Sequence, residues 1–252
     1  MIRLAVASAL ALAPLTATAQ SADGPGLAFT LGAGVEAVPD YFGSDEVTAG
    51  PGFSFDLVYL SVGPFSFGSR DFDAVPEGFG FRGSFRYVSE RSGDDFEGAD
   101  RLGDEVDAAF EIGGGVRYAQ PWWEAFAVAR RGFGGHDGVV GDVGMDLIAR
   151  PTERLTLRGG PRLFYGNDSY AETYFATADG TGRAGAGFDA SGGLLSSGVE
   201  VGAEYRLTQA WGLSANVRYD RLRGDAADSP ITQEDEQVSA SLLVTRRFDI
   251  RF

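Results

Sequence analysis

The single histidine of this 252-residue chain, His136, precedes Asp137, and a second acidic pair, Asp94-Asp95, lies upstream. A carboxylate pair facing a His-Asp pair across a cleft could activate water for hydrolysis, with the imidazole as general base. Two features argue against that chemistry. Neighbouring residues on an extended chain point to opposite sides, and Gly134-Gly135-His136-Asp137-Gly138 has the composition of a turn. A serine nucleophile would need His136 beside it, and the spacing places no serine there. Cysteine is absent, which excludes a thiolate nucleophile, a disulfide frame and zinc-thiolate or iron–sulfur ligation. The expectation is a non-enzymatic protein with no catalytic residue, no cofactor and no metal site.

Acidic loops are the other candidate. Glu90, Asp94, Asp95, Glu97, Asp100, Asp104, Glu105 and Asp107 crowd one segment, and Asp225, Asp228, Glu234, Asp235 and Glu236 another. Such carboxylates can hold Ca²⁺ or Mg²⁺ and bridge to lipopolysaccharide phosphates, but no fixed ligand spacing is present. Solvated, repelling loops are the plainer reading. Asp179-Gly180-Thr181-Gly182 reads as a turn. Gly113-Gly114-Gly115 lies inside an alternating stretch, where glycine eases curvature or close packing rather than cradling phosphate. With 21 basic side chains, all arginine, against 36 acidic ones, a nucleic-acid partner is excluded.

The elements that would carry these residues are strands. Val238, Ala240, Leu242, Val244, Phe248, Ile250 and Phe252 alternate with Ser239, Ser241, Thr245, Arg247, Asp249 and Arg251, the period-two pattern of a strand with one oily and one wet face. The same alternation recurs at 79–87, 106–118, 142–147, 199–207 and 213–220. Residues 1–19 read as a cleaved signal peptide: Arg3, an apolar run from Leu4 to Leu15, then Ala17-Thr18-Ala19 before Gln20. Residues 20–252 would form one barrel. The longest uncharged stretch after that signal, Leu57 to Ser69, has 13 residues, too short for a spanning helix. Glycine-rich, oppositely charged faces suit a narrow wet lumen, aromatics near strand ends suit interfacial girdles, and a terminal alternating strand closing on Phe252 suits an outer-membrane barrel better than a soluble sandwich or lipocalin-like barrel. The expected fold is therefore all-β, a transmembrane antiparallel up-and-down β-barrel.

Loop lengths set its topology. Short connections fall at 119–122, 150–153 and 207–210, and long ones near 39–49, 90–104, 132–138, 167–195 and 224–236. Strands follow at 26–38, 50–71, 78–89, 105–119, 123–131, 139–149, 154–166, 196–206, 211–223 and 237–252. That gives ten, with both termini in the periplasm; splitting 50–71 at Gly63-Pro64 and adding a strand within 170–194 gives twelve. Arg246 falls on the oily face, where mid-membrane exposure would cost roughly 2–4 kcal/mol.

Pro39-Asp40-Tyr41-Phe42-Gly43-Ser44-Asp45, Gly160-Pro161-Arg162, Tyr170-Ala171-Glu172-Thr173-Tyr174-Phe175 and Leu222-Arg223-Gly224-Asp225-Ala226-Ala227-Asp228-Ser229-Pro230-Ile231 resemble, in content and order, the MipA/OmpV family of outer-membrane proteins. Ala171 stands where a methionine commonly sits, and Ala176 where a glycine does. The resemblance implies a scaffold role joining a murein lytic transglycosylase to a peptidoglycan synthase, a penicillin-binding protein; other members are osmotically regulated or adhesive surface proteins. It brings no catalytic residues.

A ten-strand lumen is narrow enough for side chains to fill. Arg82, Arg86, Arg117, Arg158, Arg206 and Arg218 are expected to pair there with Asp107, Glu111, Asp142, Asp146, Glu200 and Glu204, leaving a narrow or gated channel as the alternative function. A scaffold would use the periplasmic turns, residues 20–25 and the rim. Trp122, Trp123 and Trp211 are then possible anchors, although an interfacial girdle explains them as well. A monomer among lipid and lipopolysaccharide is expected.

Overall fold

A computed structural model describes residues 24–91, 105–177 and 187–252; the expected signal, residues 1–19, lies outside them. The alternating stretches become β1 (Gly26–Pro39), β2 (Val47–Val62), β3 (Phe65–Gly68), β4 (Gly78–Val88), β5 (Ala109–Gln120), β6 (Trp123–Gly134), β7 (Val139–Thr152), β8 (Leu155–Gly166), β9 (Gly193–Arg206), β10 (Trp211–Leu222) and β11 (Glu236–Arg251), with α1 (Asp168–Phe175) and α2 (Asp225–Asp228) in two of the long connections. The strands form a single antiparallel sheet in the order β3-β2-β1-β11-β10-β9-β8-β7-β6-β5-β4. First and last strands pair from Gly26↔Arg251 to Ala37↔Ala240. The sheet thus curls into a nearly closed barrel whose termini share the end that carries the short turns.

Among the described residues the strand count is eleven, neither ten nor twelve. The segment 50–71 divides at Gly63-Pro64, where Val62 pairs with Phe65 across a two-residue turn, Gly63 takes a positive φ of 58° and proline can donate no ladder hydrogen bond. The described parts of the segment proposed to restore parity, 170–177 and 187–194, hold the body of α1 and the start of β9 and no additional strand. Asn167 caps that helix, its side chain accepting from the Tyr170 backbone N–H, and Asp168 sits in the first turn, both choices that favour a helix N-terminus. Ladders also run further than alternation indicated: β7 reaches Thr152 and β9 starts at Gly193, so the turn between β7 and β8 is Glu153-Arg154. The 105–119 strand starts at Ala109, Val106 forming instead an isolated bridge with Arg91.

The wall is apolar outside and ionic inside, the reverse of a soluble domain. Phe53, Phe79, Phe81, Ile112, Val116, Val199, Val201, Val217, Leu242 and Val244 are exposed, whereas Glu111, Glu124, Arg130, Asp142, Asp146 and Arg162 are buried. Such an outer band meets lipid. Gly113 and Gly115 let β5 crowd β6, since a Cβ on either would come within 1.9 Å of a carbonyl oxygen, that of Ala129 or Ala127. The apolar core sits not in mid-barrel but at the long-loop mouth, where α1 and α2 pack with Val106, Val140, Phe164, Leu195 and Leu222.

Candidate functional site

The barrel interior is organised in three levels, beginning at the long-loop mouth. The loop between β6 and β7 folds inward and lays the His136 ring over Gly132, where a Cβ would come within 2.1 Å of His136 Cε1. His136 Nε2 then lies 3.4 Å from Glu111 Oε1, and neither side chain is exposed at all. Glu111 accepts from Arg86 Nη2 at 2.6 Å and from Arg130 Nε at 2.9 Å. Arg130 continues to Asp142 at 2.5 Å and to Ser84 Oγ at 2.9 Å. Arg218 lies 3.7 Å from Asp142 and pairs with Asp220. A buried carboxylate is tolerated here because two guanidinium groups saturate its oxygens.

An aromatic cap closes this cluster off. Arg86 Nη2 also donates to Tyr170 Oη at 3.1 Å, and the His136 ring meets Tyr170 and Tyr174 edge-on at 5.0 and 5.5 Å. Phe42 packs on Phe164, Tyr170, Tyr174 and Phe175. Burial pushes the Tyr170 hydroxyl well above its ordinary range despite the opposing Arg86 charge, and pushes Tyr174 up to about 12. Both phenols are therefore neutral. The cap is laced from several segments: Ser229 Oγ donates to the Phe175 carbonyl at 2.6 Å and Arg91 Nη1 to the Tyr174 carbonyl at 2.8 Å.

In mid-barrel, Glu124 accepts from Arg117 at 3.0 Å and from Arg82 at 3.2 Å, while Arg162 bridges Asp146 at 2.7 Å and Glu200 at 3.1 Å. Phe126 lies beneath the Arg82 guanidinium at 4.3 Å. Arg158 and Glu204 pair at 3.4 Å with side chains still 35% and 56% exposed, so this level contains open space.

At the short-turn end, residues 69–77 return from β3 across the mouth as a strap. Arg70 pairs with Asp249 of β11, donates to the Gly24 and Pro25 carbonyls, and lies over the Tyr59 ring. Asp73 pairs with Arg206 of β9 and Arg247 of β11, and Arg247 stacks on Phe72 at 5.3 Å. Partial burial alone would raise the Asp73 carboxyl, but hydrogen bonds and charge from Arg247 and Arg206 outweigh it and hold the group below the ordinary carboxylate range.

The expected lumenal pairing holds for Arg86 with Glu111, Arg158 with Glu204 and Arg218 with Asp142, whereas Arg82 and Arg117 pair with Glu124, Arg206 with Asp73 of the strap, and Asp146 and Glu200 with Arg162. It fails for Asp107, which lines a cavity of about 450 Å³ at the outer rim with Arg91, Glu105, Glu172 and Asp189. Sequence reasoning missed Glu124, Arg130 and Arg162, although the parity of 123–131 and 154–166 carries the signal; it missed Arg70, which was assigned to the 50–71 strand, and Asp73, which fell between the assigned strands. His136 does lie in the β6–β7 connection, as its glycine-rich neighbours indicate, but its ring turns inward. It is buried on Glu111, while Asp137 accepts from Ser169 Oγ at 2.8 Å, so the two residues diverge. Asp94, Asp95, Glu97, Asp100 and Asp104 lie outside the described residues. Of the other loop acids, Asp225 accepts from the Ser191 N–H and Asp235 pairs with Arg221, bracing the loops; among the described residues no group of three or more could hold a metal ion.

Trp122 and Trp211 are exposed at the short-turn end, and Trp123 lies tilted against Tyr118 and edge-on to Trp122. Arg246 does point outward. It lies 5.1 Å over Trp211 and 5.0 Å over Phe248, level with the first residue of β10, where a cation over aromatic faces can snorkel to the interface instead of sitting in mid-membrane.

Residues 31–248 match the family of the MltA-interacting protein MipA. The chain belongs to the MipA family. Of the four stretches with family-like sequence, 39–45, 170–175 and 222–231 converge in the outer cap, and Arg162 of the fourth anchors the mid-barrel bridge. This MipA-family chain is an outer-membrane β-barrel. No curated protein sequence matches it. Among solved structures, it is similar to the toluene transporter TbuX of Ralstonia pickettii (10% identity, 91% of this chain and 90% of that chain, TM-score 0.33). It is also similar to the monoaromatic hydrocarbon channel CymD (9% identity, 91% and 89%, TM-score 0.33) and to the outer-membrane protein OprG of Pseudomonas aeruginosa (11% identity, 91% and 97%, TM-score 0.23).

Proposed function

We propose that this barrel is a non-enzymatic periplasmic scaffold, joining a murein lytic transglycosylase to a peptidoglycan synthase of the penicillin-binding class. By the loop-length rule the short turns face the periplasm, and the observation that carries the reading is the strap across that mouth. Short turns by themselves offer less than the roughly 800 Å² per side of a standard interface. The strap adds a folded surface tied to β9 and β11, and exposed Trp122 and Trp211 at the same end of the barrel are anchors of the kind that dominate interfaces. A monomer embedded in lipid and lipopolysaccharide completes the proposal.

The test is crosslinking in intact cells, then capture of the tagged barrel and mass spectrometry. Recovery of a lytic transglycosylase or a penicillin-binding protein, lost when residues 69–77 are replaced by a Gly-Ser linker of equal length, supports the scaffold. Recovery of neither, with ion conduction by the purified barrel in a planar bilayer, overturns it in favour of a gated channel. That second reading draws on the open mid-lumen around Arg158 and Glu204.

A further inference from the structure

One junction in the wall differs from all the others. Each neighbouring pair in the sheet order is joined by a backbone ladder, but that order begins at β3 and ends at β4 without a ladder between them. Because β3 is only four residues long and pairs with Tyr59–Val62, the upper stretch of β2 faces β4 directly. The two strands are in contact there: a Cβ on Gly83 would lie 3.7 Å from Leu57 Cβ, and lower down the Phe67 and Phe81 rings are 6.2 Å apart. Side chains close this seam, and among the described residues no ladder does.

That distinction decides which part of the wall can move. Parting any other junction breaks a run of hydrogen bonds inside hydrocarbon, where each unmet backbone group costs several kcal/mol. Parting β2 from β4 breaks none of that kind. The free edges need a polar neighbour, and the wet mid-lumen behind them supplies one. Across this wall the lining changes from exposed aromatics, Phe53, Phe55, Phe81 and Phe85, to a charged inner surface that includes Arg82, 38% exposed and paired with Glu124. With the aromatic cap over one mouth and the strap over the other, the seam is the direct route into the chamber.

We propose that the β2–β4 seam is a lateral port, opening between Leu57 and Gly83 to pass an amphiphile with an apolar chain and a polar head between the bilayer and the lumen. The chain meets the aromatic outer lining and the head meets Arg82. The strap is the covalent link between the two edges, so its latch to Arg206, Arg247 and Asp249 restrains the opening.

The 3.7 Å separation matches the mean Cβ–Cβ distance of a disulfide, about 3.8 Å, and the chain has no cysteine of its own. Leu57→Cys/Gly83→Cys should therefore crosslink on mild oxidation. The full barrel, reconstituted in phosphatidylcholine bilayers, is photolabelled with a diazirine-bearing stearate, and adducts are mapped by mass spectrometry. In the reduced form, adducts are expected on inward positions such as Asp56, Ser84 and Glu204, at least fivefold above the oxidised form, with outward positions labelled equally in both. Equal inward labelling in the two forms, or none in either, overturns the proposal. Should the double variant not fold, Asp73→Asn serves alone: loosening the strap raises inward labelling at least twofold, and unchanged labelling overturns the port.

Discussion

The two ends of the lumen are closed by different means. At the outer mouth, Glu111 and His136 have no exposed side-chain surface, and Tyr170, Phe175 and Ala226 are buried under converging loops. At the short-turn mouth, Asp73 is half exposed and its arginine partners Arg206 and Arg247 are about a quarter exposed. A dry ionic cluster cannot rearrange without stranding a charge, whereas a wet one exchanges its partners for water at little cost. The cap is thus dry throughout, whereas in the strap Arg70 is only 7% exposed against Asp249 and the Asp73 latch is the solvated part.

The sharpest test of that contrast is Glu111→Gln. The carboxylate neutralises Arg86 and Arg130 at once, and removing one partner of a buried ion cluster costs about 3–5 kcal/mol. The gel shift of heated barrel across a denaturant series should report that loss, while Glu204→Gln, which breaks the exposed pair with Arg158, should stay within about 1 kcal/mol of the parent chain. Comparable losses in both variants would mean that the interior is uniform and the contrast wrong.

Tyr174→Phe should move stability the other way. The Tyr174 hydroxyl is buried with no hydrogen-bond partner among the described residues, and an unmet buried polar group costs about 1–3 kcal/mol. Deleting it while keeping the ring against Phe42 and His136 is expected to stabilise the barrel by about 1 kcal/mol in the same assay. Tyr170→Phe, which loses the Arg86 bond, is expected to destabilise it.

How much of this was legible in the sequence depends on whether a feature is periodic. The wall is periodic, so most strands and inward charges follow from alternation, and Glu111, Asp146 and Glu200 fall where it places them. The two closures are not. Nothing local marks 69–77 as a strap, because Arg70 and Asp73 acquire their role from partners more than a hundred residues away in β9 and β11. His136 likewise has the neighbours of a turn residue, and what buries it is the space left by Gly132 together with a helix from 168–175. The odd strand count among the described residues arises from one glycine-proline turn that splits off a four-residue β3, which touches β4 through side chains but forms no ladder with it.

Asp73→Asn carries the smallest expected change in stability, within about 1 kcal/mol because the pairs are solvated, and the largest expected change in behaviour. Without the carboxylate, Arg206 and Arg247 lose their shared partner on the strap, and the short-turn mouth loosens while the aromatic cap at the other end is untouched. Ion conductance of the purified barrel in a planar bilayer should rise several-fold. Acid should reproduce the effect in the parent chain. A carboxyl held below its ordinary value adds stability that is fully present above the unfolded value of about 3.9 and is lost as pH falls through the lowered folded value. Parent conductance should therefore increase only below about pH 4, and the variant should lack that step. A conductance rise in the parent at pH 5–6, or an unchanged acid step in Asp73→Asn, would remove Asp73 from the latch and place the releasable closure elsewhere.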